Sequence, residues 1–96
     1  MQKYPFTNQT GFQDCAAACT QMILKYYGGY SSMYKLSEML KTTKNGTTAY
    51  DIVETLNSIG FESYGKKHKN LKDVKVPCIA HMEYKNYKHY IVIYGI

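Results

Sequence analysis

Asp14-Cys15-Ala16-Ala17-Ala18-Cys19-Thr20-Gln21-Met22-Ile23-Leu24-Lys25-Tyr26-Tyr27-Gly28-Gly29 is the stretch on which the fold turns. Cys15, Cys19, Met22, Ile23 and Tyr26 recur at the three-to-four spacing of one buried helical face, and Ala16 to Ala18 favour helix intrinsically. Gly28-Gly29 ends the pattern. Upstream, Met1 to Gln13 carry Pro5, Gly11 and several Asn, Gln and Thr residues, an irregular lead-in. Downstream, Ser32 is placed to cap a second helix with Met33, Leu36, Met39 and Leu40 as its apolar stripe. Thr48 with Asp51 three positions on opens a third, with Ile52, Val53, Leu56 and Ile59 at helical spacing and Gly60 as its stop.

From Phe61 the period changes. Phe61 to Tyr64 reads as a short strand, and Lys66 to Lys75 as a basic connection with one helical turn around Leu71. Val76 to Glu83 and His89 to Tyr94 read as two strands joined by a turn at Tyr84 to Lys88, with Pro77 near a strand start where one missing donor is tolerated. Helices first and an antiparallel sheet second predict an α+β fold. No repeat or linker divides residues 1–96, which are taken as one domain.

Composition limits what such a domain can do. Hydrophobic residues are 45% and charged residues 20% of 96, a globular balance too short for two domains. The 11 Tyr, with 3 Phe and no Trp, are expected half exposed at edges and grooves, where the hydroxyl finds a partner. Net charge is +5, yet every basic residue is Lys, so the bidentate Arg contacts that recognise guanine and phosphate are absent. The run Lys66, Lys67, Lys69, Lys72 and Lys75 reads as a solvated surface and no nucleic-acid partner is expected. The longest apolar stretch, Tyr90 to Tyr94, is far short of the roughly 18 residues of a membrane span, and the N-terminus has no signal-peptide core. Three cysteines without C-x-x-C spacing argue for reduced thiols in a cytosolic setting and against a structural zinc. With no P-loop, Rossmann glycine pattern or His-Glu-x-x-His, no metal or cofactor is expected.

The reactive candidates are three Cys and three His. Cys15 falls at a predicted helix start, where free N–H groups and the positive end of the dipole stabilise a thiolate. Cys19 and Cys78 read as small buried hydrophobes. A thiolate needs an imidazole to hold it as an ion pair and to protonate the leaving amine. His89 and His81, both in the proposed hairpin, are open to that role, while His68 lies among lysines as a loop residue. Gln9, six positions before Cys15, has an amide that can donate to an oxyanion together with the nucleophile's backbone N–H.

In these residues the chain resembles the peptidase domain of family C39, papain-like cysteine peptidases at the N-terminus of bacteriocin-exporting ABC transporters. The resemblance rests on Gln9 with Asp14-Cys15, Ala18-Cys19, Ile23 to Gly28, Gly46-Thr47-Thr48, Gly60-Phe61, Pro77 to His81, and His89 to Tyr94, and covers nearly the whole sequence. It implies a papain-like arrangement of N-terminal helices on a small antiparallel sheet. It also implies Cys15 as nucleophile, His89 as general base and acid, and Gln9 as oxyanion donor. The implied activity is cleavage of leader peptides after Gly-Gly, linked to export, at the cytoplasmic face of the membrane, with transporter membrane and ATP-binding domains outside this chain. Gly28-Gly29 itself reads as a helix stop and not as a cleavage site.

Ala16 stands where the family usually has Gly, a change expected to have a small effect. The family's third catalytic residue, an Asp that orients the histidine, lies on the strand after the His strand, and no Asp, Asn or Glu follows His89 here. The expectation is a sheet incomplete after Ile96, turnover reduced by up to about 10⁴-fold, and an edge after Val92 open to dimerisation. The alternative function is a catalytically silent leader-peptide binding module of the same fold, supported by that missing Asp and the Tyr-rich surface.

Overall fold

The computed structural model describes residues 4–7, 14–43, 46–66, 70–84 and 87–95. Helix α1 (Cys15–Tyr26) runs through the centre, followed by α2 (Met33–Met39), α3 (Ala49–Ser58), a 3-10 turn (Leu71–Asp73), and strands β1 (Cys78–Tyr84) and β2 (Tyr87–Ile93). The strands pair antiparallel, with Cys78 opposite Ile93, His81 opposite Tyr90 and Met82 opposite His89. This is the expected α+β order.

Each helix stops by the same device. Gly28 follows α1 at φ +87°, its N–H donating to the Lys25 carbonyl, while Gly29 donates to Leu24. Gly60 does the same after α3 at φ +107°, with bonds from Gly60 to Asn57 and Phe61 to Leu56. After α2 the left-handed position is taken by Lys41, at φ +55°. At the other ends, Ser32 accepts from the Lys35 N–H and Thr48 from the Asp51 N–H, both at 3.1 Å, as their spacing predicts.

The sequence predicts one buried face for α1, but every residue from Cys15 to Leu24 is buried. Ala16, Ala17 and Ala18 let neighbours approach on all sides, and α1 packs against α2, α3 and both strands. Its two buried polar residues are satisfied locally: Thr20 donates to the Ala16 carbonyl at 2.8 Å, and Gln21 uses both ends of its amide. Leu36 from α2 and Leu40 just after it, Ile52 and Leu56 from α3, and Tyr90 from β2 are further members of the core.

Two expectations change in the second half. Residues 61–64 form no strand, because Ser63 is drawn back onto α3: its N–H and Oγ donate to Asn57 Oδ1, and Oγ also to the Val53 carbonyl. The hairpin is tighter than predicted, since β1 runs through Tyr84 and β2 begins at Tyr87, inside the stretch read as turn. Pro77 stands just ahead of β1, as expected, and the Val76–Pro77 bond is cis. The tyrosines behave as their chemistry demands, forming a chain of ring contacts from Tyr4 to Tyr94, Tyr26, Tyr27 and Phe61 along the surface.

Candidate active site

Cys15 is the first residue of α1, with Asp14 at the N-cap position. It is 4% exposed and belongs to the same core cluster as Cys19 and Tyr90. The positive end of the α1 dipole lies at this residue. Cys19 sits one turn further on, where burial, and then the charge of Cys15, pushes its thiol up to about 12. Burial also raises the thiol of Cys78. Both stay protonated at neutral pH and serve as packing groups.

Strand β2 lies along α1 in the same sense as the helix runs. Tyr90 belongs to the core cluster that also holds Cys15 and Cys19 from the first turns of α1, and burial, then the charges of these two thiols, raises its hydroxyl. Tyr94 stacks on Tyr26, ring centroids 5.4 Å apart, at the helix's other end. The spans agree: eleven helical residues cover about 16 Å and four strand residues about 13 Å. His89 precedes Tyr90 and therefore lies at the Cys15 end.

Strand alternation divides the two hairpin faces. Tyr90 and Val92, with Ile79 across the ladder, pack on the core. His89 issues from the opposite face, opposite Met82, and is half-buried with Nδ1 sealed from solvent. His81, opposite Tyr90, is exposed and lies flat against the Tyr90 ring, 4.7 Å between centroids at 23°. The structure thus packs the Cys15 helix against the His89 strand. It sets Tyr90, and not His89, into the cluster that holds Cys15. Gln9 and His68 lie outside the described residues.

The segment leading toward Gln9 is held at two points. The Tyr94 hydroxyl donates to the Pro5 carbonyl at 2.6 Å, and Thr7 Oγ1 donates to Gln21 Oε1 at 2.7 Å. Gln21 Nε2 in turn donates to the Ser31 carbonyl at 2.9 Å, and Lys25 Nζ to Thr7 Oγ1 at 3.3 Å. The sequence reading passes over Gln21 and Tyr90. The signal for Gln21 is a polar residue inside the run Ala16 to Leu24; for Tyr90 none exists short of the packing. Among the described residues, no three His, Cys, Asp or Glu side chains converge to hold a metal, and no helix is long and apolar enough to cross a membrane.

Comparison with known proteins gives a consistent result. The profile of the peptidase C39 family matches residues 3–96. The lactococcin-G-processing and transport ATP-binding protein LagD of Lactococcus lactis is 36% identical over 88% of this chain. The transport/processing ATP-binding protein ComA of Streptococcus pneumoniae is 35% identical over 97% of it. The chain spans only 13% and 14% of the length of these two relatives. Among solved structures, the peptidase domain of Streptococcus ComA, described as a bi-functional ABC transporter involved in quorum sensing, superposes with a TM-score of 0.85 at 36% identity. That match covers 97% of this chain and 72% of the ComA domain.

Proposed function

The chain belongs to the peptidase C39 family, and from that membership we propose that it is a cysteine endopeptidase domain cutting leader peptides after a Gly-Gly pair. The observation that supports this reading is Cys15 as the first residue of α1, a helix packed against the strand that carries His89, in a chain that matches the family over residues 3–96. His89 is preferred to His81 as the base because the family resemblance assigns it that role and because it is half-buried, whereas His81 is exposed and stacked on Tyr90.

Cys15 Sγ, as thiolate, attacks the carbonyl carbon of the second Gly. The carbonyl electrons move to oxygen, and that oxyanion accepts from Gln9 and the Cys15 backbone N–H. Collapse expels the amine of the downstream residue, which takes a proton from His89 and departs, leaving a thioester on Cys15. His89 then takes a proton from water as it attacks the thioester, returning Cys15 and releasing the leader carboxylate. The names of the LagD and ComA relatives join processing and transport to ATP binding. This domain accordingly belongs with transporter membrane and ATP-binding segments, at the cytoplasmic face of the membrane.

The test is cleavage of a synthetic peptide whose leader ends in Gly-Gly, read by mass spectrometry. A single cut after the second Gly is expected, abolished by Cys15→Ala and His89→Ala, with a loss in kcat of about 10²–10³-fold for Gln9→Ala. Undiminished cleavage by Cys15→Ala sinks the proposal. Cleavage kept in His89→Ala and lost in His81→Ala would move the base to His81. Tight peptide binding without a cut would select a silent binding module.

A further inference from the structure

We propose that Tyr90 is a positioning residue for the cysteine–histidine pair: its hydroxyl ties the start of β2 to the segment before α3 and thereby holds His89 at the level of Cys15. The proposal rests on the peptidase reading above, and its basis is geometric. Among the described side chains Tyr90 is the one buried β2 residue of the core cluster, at 7% exposure, and its hydroxyl donates to the Thr47 carbonyl at 2.9 Å, 43 residues away in sequence. The acceptor is itself fixed. Thr47 Oγ1 shares a 2.6 Å hydrogen bond with Thr42 Oγ1, and the adjoining Thr43 and Gly46 form an antiparallel bridge. On its other side the Tyr90 ring is covered by His81, its partner across the ladder.

The consequence follows from strand geometry. A slip of one residue along β2 would exchange the faces of His89 and Tyr90. A Phe at this position would fill the same volume, but nothing would then tie the strand to Thr47. A shift of about 1 Å in His89 relative to Cys15 is enough to cost on the order of 10²-fold in rate. Burial and the neighbouring thiols raise the Tyr90 hydroxyl above its ordinary range, so it remains a donor wherever a thiolate–imidazolium pair would work.

Tyr90→Phe deletes one oxygen and keeps the ring. Its test is the pH dependence of Cys15 alkylation by iodoacetamide, followed at Cys15 by peptide mapping, alongside kcat and KM on the Gly-Gly peptide. The expected result is an alkylation midpoint moved upward in pH, kcat lowered about tenfold per folded molecule, and KM within twofold of the parent. Thr42→Val, which frees the Thr47 hydroxyl and leaves Tyr90 in place, is expected to give a smaller change of the same sign, and carries the test if Tyr90→Phe does not fold. A Tyr90→Phe protein with the parent's alkylation profile and kcat, altered only in Tm, overturns the positioning role while leaving the peptidase reading intact. A parent chain whose Cys15 alkylates as an ordinary thiol overturns both.

Discussion

Gln21 offers a sharp test of how the lead-in segment is held. The residue is 4% exposed, yet it lies within the buried run of α1, and both ends of its amide are bonded: Oε1 accepts from Thr7 at 2.7 Å and Nε2 donates to the Ser31 carbonyl at 2.9 Å. Gln21→Leu keeps the volume and removes both bonds. Each net hydrogen bond is worth about 0.5–1.5 kcal/mol, and the half-buried Ser31 carbonyl would lose a donor, so a loss of about 2 kcal/mol is expected after the gain from burying an apolar side chain. At this chain length 1 kcal/mol moves Tm by about 4–8 °C, which makes the expected fall about 8–16 °C by calorimetry. Gln21→Glu separates the two bonds, because a carboxylate still accepts from Thr7 but meets the Ser31 carbonyl with no proton to offer. It should be at least as destabilised at pH 7, and hydrogen exchange should rise around residues 5–7 and 31 in both variants. A Gln21→Leu protein within 2 °C of the parent, with unchanged exchange at those positions, would refute the clamp.

Two further outcomes follow from the same structure. The Cys19 thiol ionises near 9 when unfolded and is pushed up to about 12 in the fold, so the unfolded chain releases its proton first as pH rises. Its contribution to stability is complete below pH 9 and declines between 9 and 12, at up to about 1.4 kcal/mol per pH unit. Urea unfolding from pH 8 to 11 should therefore show a shallower alkaline decline in Cys19→Ala than in the parent. The helix stops give the second outcome. Gly60→Ala places a Cβ in open space, so its cost is purely that of a left-handed backbone, about 1–2 kcal/mol. Lys41→Gly relieves the same strain after α2 and should be neutral or stabilising by up to about 1 kcal/mol, both read by urea denaturation.

What the sequence makes legible is what repeats along it or punctuates it. Thr48 with Asp51 at one end and Gly60 at the other bracket α3 to within a residue, and Gly28-Gly29 closes α1 where expected. The hairpin is found as well, although β-branched and aromatic content alone misplaces its turn, because Tyr84 and Tyr87 pair across it. Phe61 to Tyr64 has a strand's composition but is governed by Ser63 reaching Asn57 and Val53, contacts that no periodicity announces. All-round burial of α1 is hidden for a related reason, since Thr20 and Gln21 look like a solvent face and are instead satisfied internally. At the site, Cys15 and His89 are legible as reactive types at the ends of predicted elements. Tyr90 is not, because its role depends on Thr47, which only the fold brings near it.

The most direct measurement is covalent capture of the nucleophile. A peptide ending in a Gly-Gly chloromethyl ketone, mixed with the chain and read by intact mass and peptide mapping, should attach once, at Cys15. Capture should be faster than with a control peptide ending in bulky residues, and should slow at least tenfold in His89→Ala. Attachment at Cys19 or Cys78, or an equal rate at Cys15 with and without His89, would contradict the account.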